Sequence, residues 1–341
     1  MKIIDSLIAS IDLQIPGKTF LIGEYAVLKG GACIGFGSSP SFKLVLNNNV
    51  VSNSFFNQIH NNSAAGLYLK KLFIENKSEH LELIEILKKG EFLNPYQVGG
   101  FGASTAEWIF CKWIYEEFLL KKTNSVKQNR IQNWYESYMD LYLNSYEKPS
   151  GADFIIQAVG GLSFIQMKDQ IIWKHEQFEK KTDFHFSLFS TSLKVKTHEH
   201  LVEVRKNLKF IQLIQDLVQP SQECSLAFID GDYTQKKESM LEFSRRLELA
   251  GLMDAKVIEL KNFLILKLKQ KFSNFIIKPC GALGVDVFCI LTNVEQSLDF
   301  NFYVDHLLKT EPQLVNFKKQ SDNLSSSLGA LNESNINSLK T

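Results

Sequence analysis

Arginine is scarce: Arg130, Arg205, Arg245 and Arg246 are the only four in a chain of 341 residues. Few side chains can therefore grip phosphate in a bidentate fork. No surplus of positive charge compensates, because 38 Lys+Arg face 37 Asp+Glu for a formal net charge of +1. A bulk nucleic-acid binder needs a basic surplus or stripe, so that class is excluded. Cysteine is sparse too. Cys33, Cys111, Cys224, Cys280 and Cys289 are odd in number, widely spaced and free of any Cys-x-x-Cys. That pattern excludes a disulfide framework or a zinc site and fits thiols in a reducing compartment. Also missing are a run of about 18 uncharged apolar residues for a membrane helix and the N-terminal apolar run of a signal peptide. The expectation is a soluble, cytoplasmic protein with neither nucleic acid nor membrane as partner.

What is present is core material. Hydrophobic residues make up 45% of the chain, and this length exceeds one minimal core, so two packed lobes are expected. Strand and turn patterns open the chain: 11–15, then Pro16-Gly17-Lys18, then 19–22 up to Gly23. A helical pattern covers 57–89. A Lys/Asn/Gln-rich stretch, 121–132, reads as a solvated loop, and 134–146 as a helix ended by Pro149. Strands at 162–165 and 184–189 flank a polar excursion, roughly 166–182, where the lobe boundary is placed. Helical runs at 198–218 and 236–252 follow, and 275–277 with 287–291 flank a third glycine cluster. The tail beyond about 320 is rich in Ser and Asn.

The segment Gly99-Gly100-Phe101-Gly102-Ala103-Ser104-Thr105-Ala106-Glu107 has the chemistry of a phosphate cradle. Glycines let backbone approach an anion, and a helix starting directly afterwards offers unpaired N–H groups and the positive end of its dipole. Ser104 and Thr105 add hydroxyls for phosphate or a bound Mg²⁺. Ser104-x-x-Glu107 is also a capping box, which would account for both residues without a ligand. The segment is neither a Walker A loop nor a Gly-x-Gly-x-x-Gly fingerprint. Further on, Pro149-Ser150-Gly151-Ala152-Asp153 offers a carboxylate that is either an ordinary turn residue or a group able to take a proton from an acceptor oxygen.

These pieces together resemble the GHMP kinase superfamily. Pro16-Gly17-Lys18, an apolar strand and Gly23-Glu24-Tyr25-Ala26-Val27 are similar to its first motif. Gly100 to Ala106 is similar in outline to its Gly-Leu-Gly-Ser-Ser-Ala-Ala motif, and Gly281-Ala282-Leu283-Gly284-Val285-Asp286 more loosely to its third. The resemblance implies an α+β, two-lobe fold. Its N-terminal lobe, 1–170, is ribosomal-protein-S5-like and its C-terminal lobe, 171–341, ferredoxin-like, with the active site in the cleft between them. It implies ATP and Mg²⁺ as cofactors, a small phosphorylated or carboxylated acceptor, and a monomer or homodimer. By the same resemblance Lys18 and Asp153 are catalytic. Gly99, Gly100, Gly102, Ala103, Ser104 and Thr105 bind the nucleotide, with Ser104 nearest the metal. Glu24, Tyr25, Ser150, Gly151, Lys194, Lys196, Thr197, Gly281, Ala282 and Asp286 face the acceptor.

Glu24-Tyr25 and Asp286 are similar to the phosphomevalonate kinase branch, whereas the Pro-Ser-Gly-x-Asp element is equally close to mevalonate kinase. The chain departs from the family where Leu283 and Val285 replace glycines and Ala103 replaces a serine. The family's magnesium glutamate falls near Tyr142, with Asp140 and Glu136 in neighbouring turns. The leading expectation is phosphomevalonate phosphorylation in isoprenoid precursor synthesis. Mevalonate kinase, another small-molecule kinase of this superfamily such as a sugar kinase, and a non-catalytic sensor are the alternatives.

Overall fold

The computed structural model describes residues 12–47, 49–75, 78–96, 100–120, 127–143, 148–167, 171–176, 184–191, 208–285, 287–314 and 318–321. In chain order these contain β1 (Asp12–Ile22), β2 (Ala32–Leu46), α1 (Phe55–Gln58), α2 (Ala64–Ile74), α3 (Glu79–Lys88), β3 (Gly90–Leu93), α4 (Ala103–Ile114), α5 (Lys127–Asp140), α6 (Ala152–Val159), β4 (Leu162–Met167), β5 (Ile171–Glu176) and β6 (Phe184–Ser190). Then come α7 (Leu208–Asp216), α8 (Val218–Asp230), α9 (Tyr233–Leu249), α10 (Ala255–Lys269), β7 (Phe275–Cys280), β8 (Val287–Asn293), α11 (Ser297–Thr310) and β9 (Lys318–Ser321).

Two antiparallel sheets organise the chain. The first runs β1-β2-β4-β5, with β3 pairing the far half of β2. The long β2 serves two neighbours: Ala32–Phe36 pair with β4, Lys43–Leu46 with β3. The second sheet runs β7-β8-β6-β9. The polar excursion expected at 166–182 contains β5, whose Ile171-Ile172-Trp173 pairs with β4. β5 belongs with β4 to the first sheet, and β6 to the second.

Two other expectations are corrected. The helical stretch 57–89 is three helices, since Ser63 accepts from the Gly66 N–H and starts α2 afresh. The presumed loop 121–132 already holds the start of α5. Ile131, Trp134 and Tyr138 form a buried stripe there, and Arg130 lies over the Trp134 ring at 4.9 Å. Trp108 of α4 meets Trp134, Tyr138 and Phe154 edge-on, so α4, α5 and α6 share one aromatic core. All five cysteines are buried and unpaired. Among the described residues no helix is long and apolar enough to cross a membrane.

Candidate active site

β1 breaks its register between Ile15 and Gly17, then carries Lys18 along the sheet towards the start of α4. The Lys18 N–H donates to the Phe101 carbonyl at 2.9 Å, which ties the strand to the glycine loop. Gly102 caps α4 with φ 88° and no side-chain cap, and Gly151 caps α6 with φ 76°. Both conformations are left-handed and favour glycine. Two helix N-termini thus open into one cleft of about 420 Å³, each presenting unpaired N–H groups and a positive dipole end.

Lys18, Glu24, Tyr25, Gly100, Gly102, Ala103, Ser104, Thr105, Ser150, Gly151, Asp153 and Gly281 all line this cleft. Lys18 Nζ lies 3.2 Å from Asp153 Oδ2, the lysine side chain 13% and the aspartate 36% exposed. The amine is thus held from below while the carboxylate stays open to a ligand. Ser104 is exposed, and since Gly102 is the cap, Ser104 and Glu107 form no capping box. Thr105 is buried, its hydroxyl 3.4 Å from that of Tyr138. Ser150 Oγ accepts from the Ala152 N–H at the start of α6. Ala282 opens the turn after β7, beside Gly281. Gly99, Lys194, Lys196, Thr197 and Asp286 lie outside the described residues.

The altered third cluster keeps a glycine-like path. Leu283 has φ 52°, and its N–H donates to the Tyr25 hydroxyl at 2.8 Å, while Gly281 has φ 93°. Tyr25 itself has φ 32°. The two positive-φ residues other than glycine among those described are therefore hydrogen-bonded partners, and each left-handed residue costs about 1–2 kcal/mol. Val285 is buried, and its carbonyl accepts from Thr191 Oγ1.

Sequence reading missed three groups here. Lys278, fully buried on β7, donates to Glu24 Oε1 and, at 3.2 Å, to the Pro279 carbonyl. Burial opposes its charge, but Cys280 and Glu24 outweigh that and raise its pKa. Glu24 Oε2 is buried and has no partner among the described residues. Tyr138 lines the cleft, and burial holds its hydroxyl well above the ordinary range. Gln157, on α6, donates to the Pro16 carbonyl. A lysine in an apolar strand and a glutamine in an apolar helix were the available signals. Asp140 and Glu136 stay out of the cleft: Asp140 pairs with Lys71, and exposed Glu136 accepts from Gln132. Among the described residues no three His, Cys, Asp or Glu side chains cluster to hold a metal.

The site makes two predictions. A Cβ on Gly102 would lie 2.9 Å from both Gln157 Oε1 and Lys18 Cγ, on a backbone that side chains resist. Gly102→Ala is expected to cost about 1–3 kcal/mol of stability; urea denaturation checks it, and an unchanged midpoint would refute it. Glu107 is half-buried on α4, and burial pushes its carboxyl up to about 7. A carboxyl raised on folding contributes fully below its ordinary 4.5 and loses that contribution as pH climbs through about 7. The loss by pH 8 is on the order of 2–3 kcal/mol. Glu107→Gln should recover it at pH 8 and change little at pH 4.5, as read from urea midpoints.

No family model matches the sequence, and no curated protein matches it. Solved structures do, and their shared architecture is that of the GHMP kinases. The chain has this mixed helix-and-sheet fold. Mevalonate kinase from L. major, in complex with R-mevalonate, is 16% identical, covers 93% of this chain and 97% of its own, and superposes with a TM-score of 0.61. Streptococcus pneumoniae phosphomevalonate kinase, in complex with phosphomevalonate and AMPPNP, is 14% identical over 91% of this chain and 98% of its own, TM-score 0.63. Lactococcus lactis galactokinase, complexed with galactose, is 13% identical over 92% and 93%, TM-score 0.63.

Proposed function

We propose that the protein is an ATP-dependent kinase that phosphorylates an oxygen of a small acceptor, a hydroxyl or an existing phosphate. The observation that carries this reading is the Lys18–Asp153 pair, 3.2 Å apart in a cleft where two glycine-capped helices begin. The N–H groups of Ala103, Ser104 and Thr105, with the dipole of α4, would hold the nucleotide phosphates. The Ser104 hydroxyl would hold the Mg²⁺ that ATP brings, an ion that neutralises phosphate charge and fits this exposed oxygen. Asp153 positions the acceptor oxygen; where that oxygen is a hydroxyl it also receives the proton as the oxygen bonds to the γ-phosphorus, whereas a phosphate oxygen attacks already ionised. The bond from the γ-phosphorus to the bridging oxygen breaks, ADP leaves, and the Lys18 ammonium offsets negative charge on the transferred group. We place the division of the lobes between the two sheets, after β5.

The acceptor favoured by Gly23-Glu24-Tyr25 is phosphomevalonate, giving diphosphomevalonate. One observation favours a second reading. The charged residues lining the described cleft are Lys18, Glu24 and Asp153; Lys18 is paired with Asp153 and Glu24 with the buried Lys278, so each described lysine at the site is already committed to a carboxylate. That suits a less anionic acceptor, mevalonate or an uncharged sugar. A coupled ADP-release assay with ATP and Mg²⁺ on phosphomevalonate, mevalonate and a sugar panel separates them. Turnover on one acceptor names the substrate. Silence on all of them, with ATP still bound, would overturn the kinase reading in favour of a sensor.

A further inference from the structure

The helix that carries Asp153 reads Ala-Asp-Phe-Ile-Ile-Gln-Ala-Val, and Gln157 sits in it fully buried. An aliphatic side chain would fill the same space without the cost of burying an amide, which is offset only where the amide is hydrogen-bonded. Each end of Gln157 therefore needs its own account. Nε2 donates to the Pro16 carbonyl at 2.8 Å, across 141 positions of sequence. Pro16 is the residue that the β1–β2 pairing skips, between Ile15 and Gly17, so the amide fixes the irregular point from which the strand runs on to Lys18.

The other end is unsatisfied. Oε1 is buried with no partner among the described residues. It lies 2.9 Å from the position a Gly102 Cβ would take, and Lys18 Cγ lies 2.9 Å from that same position. One amide thus touches the approach to Lys18, the cap of α4 and, four residues back on its own helix, the turn bearing Asp153. An unpaired buried carbonyl costs about 1–3 kcal/mol, so its retention against the glycine loop calls for a reason other than stability.

We propose that Gln157 is a positioning residue for phosphoryl transfer: it locks β1 at Pro16, where the pairing with β2 breaks, to α6, and so sets Lys18 against Asp153 and both against the Gly102 cap. This rests on the kinase reading. Fixing reacting groups is worth a great deal, since a misplacement of about 1 Å can cost on the order of a hundredfold in rate. The second role of the amide follows from its direction. With Nε2 committed to Pro16, Oε1 places the negative end of a fixed dipole beside the open face of Gly102, where a Cβ would stand.

The test compares wild type, Gln157→Leu and Gln157→Glu by hydrogen-exchange mass spectrometry and steady-state kinetics. In Gln157→Leu, exchange should quicken in peptides covering 16–20 and 100–105 and stay unchanged elsewhere. Its kcat should fall by roughly 10–100-fold with KM for ATP within about threefold. In Gln157→Glu, a protonated carboxyl can donate to Pro16 as the amide does, whereas an ionised one cannot. Lys18 on β1 and Asp153 on α6 act on that carboxyl in opposite directions. Activity should approach wild type at low pH and fall as pH rises, a limb the wild type lacks. Unchanged exchange with kcat within twofold of wild type would overturn the proposal. So would faster exchange spread evenly over the molecule, with kcat intact once the folded fraction is counted. If wild type phosphorylates no acceptor, the kinase reading has failed, and the exchange pattern alone still decides whether Gln157 holds the two segments together.

Discussion

Asp153→Asn is expected to lower kcat by about 10²–10⁴ while a non-hydrolysable ATP analogue binds as before. The asparagine keeps the shape of the side chain, which is 36% exposed, so the fold has little reason to change. It removes the group able to take the acceptor proton, and it leaves the Lys18 ammonium without its counter-charge at 3.2 Å. The nucleotide side of the cleft depends on a different helix, α4, and on backbone N–H groups that the substitution does not touch. Rate and affinity should therefore separate. Equal losses of both would mean that Asp153 organises the cleft rather than acting on the acceptor, and an unchanged kcat would exclude it from the chemistry.

Lys278→Met should destabilise the protein by about 3–5 kcal/mol, because it leaves the Glu24 carboxylate buried without its cation. Lys278 is 0% exposed and Glu24 6%, so water cannot take over the lost interaction. Glu24→Gln combined with Lys278→Met should recover much of that loss, since a buried ion pair contributes less than either partner costs when stranded. Urea denaturation of the two single variants and the double variant measures the coupling, and strictly additive losses would refute it. The pair joins the end of β1 in the first sheet to β7 in the second, alongside the Tyr25–Leu283 hydrogen bond. The double variant should therefore fold yet bind acceptor poorly, with Glu24 Oε2 no longer a charged acceptor in the cleft.

Local chemistry made the glycine-capped side of the cleft readable. Gly100, Gly102 and Gly151 stand where backbone turns left-handed, and the helix after Gly102 follows the amphipathic spacing of Ala106, Ile109, Phe110, Trp113 and Ile114. Lys18 and Asp153 were legible as a pair through the motifs around them, although 135 positions separate them in sequence. The capping-box reading of Ser104 and Glu107 failed for a local reason: the helix starts two residues earlier than a serine cap requires, at Gly102. The loop expected at 121–132 failed for a tertiary one. Its polar composition hides Ile131, whose burial with Trp134 and Tyr138 is supplied by α4 and α6.

By itself the sequence determined what lies within a few residues, such as the helix that follows the Gly99–Gly102 cluster. Lys18, read there as a turn residue, lies inside the continuous β1, and the apolar run after Gly151 is the helix α6. The order of the motifs along the chain also determined which fold to expect. Only the tertiary structure decided which buried polar groups meet. Nothing local to Lys278 announces Glu24, 254 positions away, and nothing local to Gln157 announces the break in pairing at Pro16. The physical reason is that a buried charge or amide is tolerated only with its partner, and that partner comes from the packing of distant segments rather than from sequence neighbours.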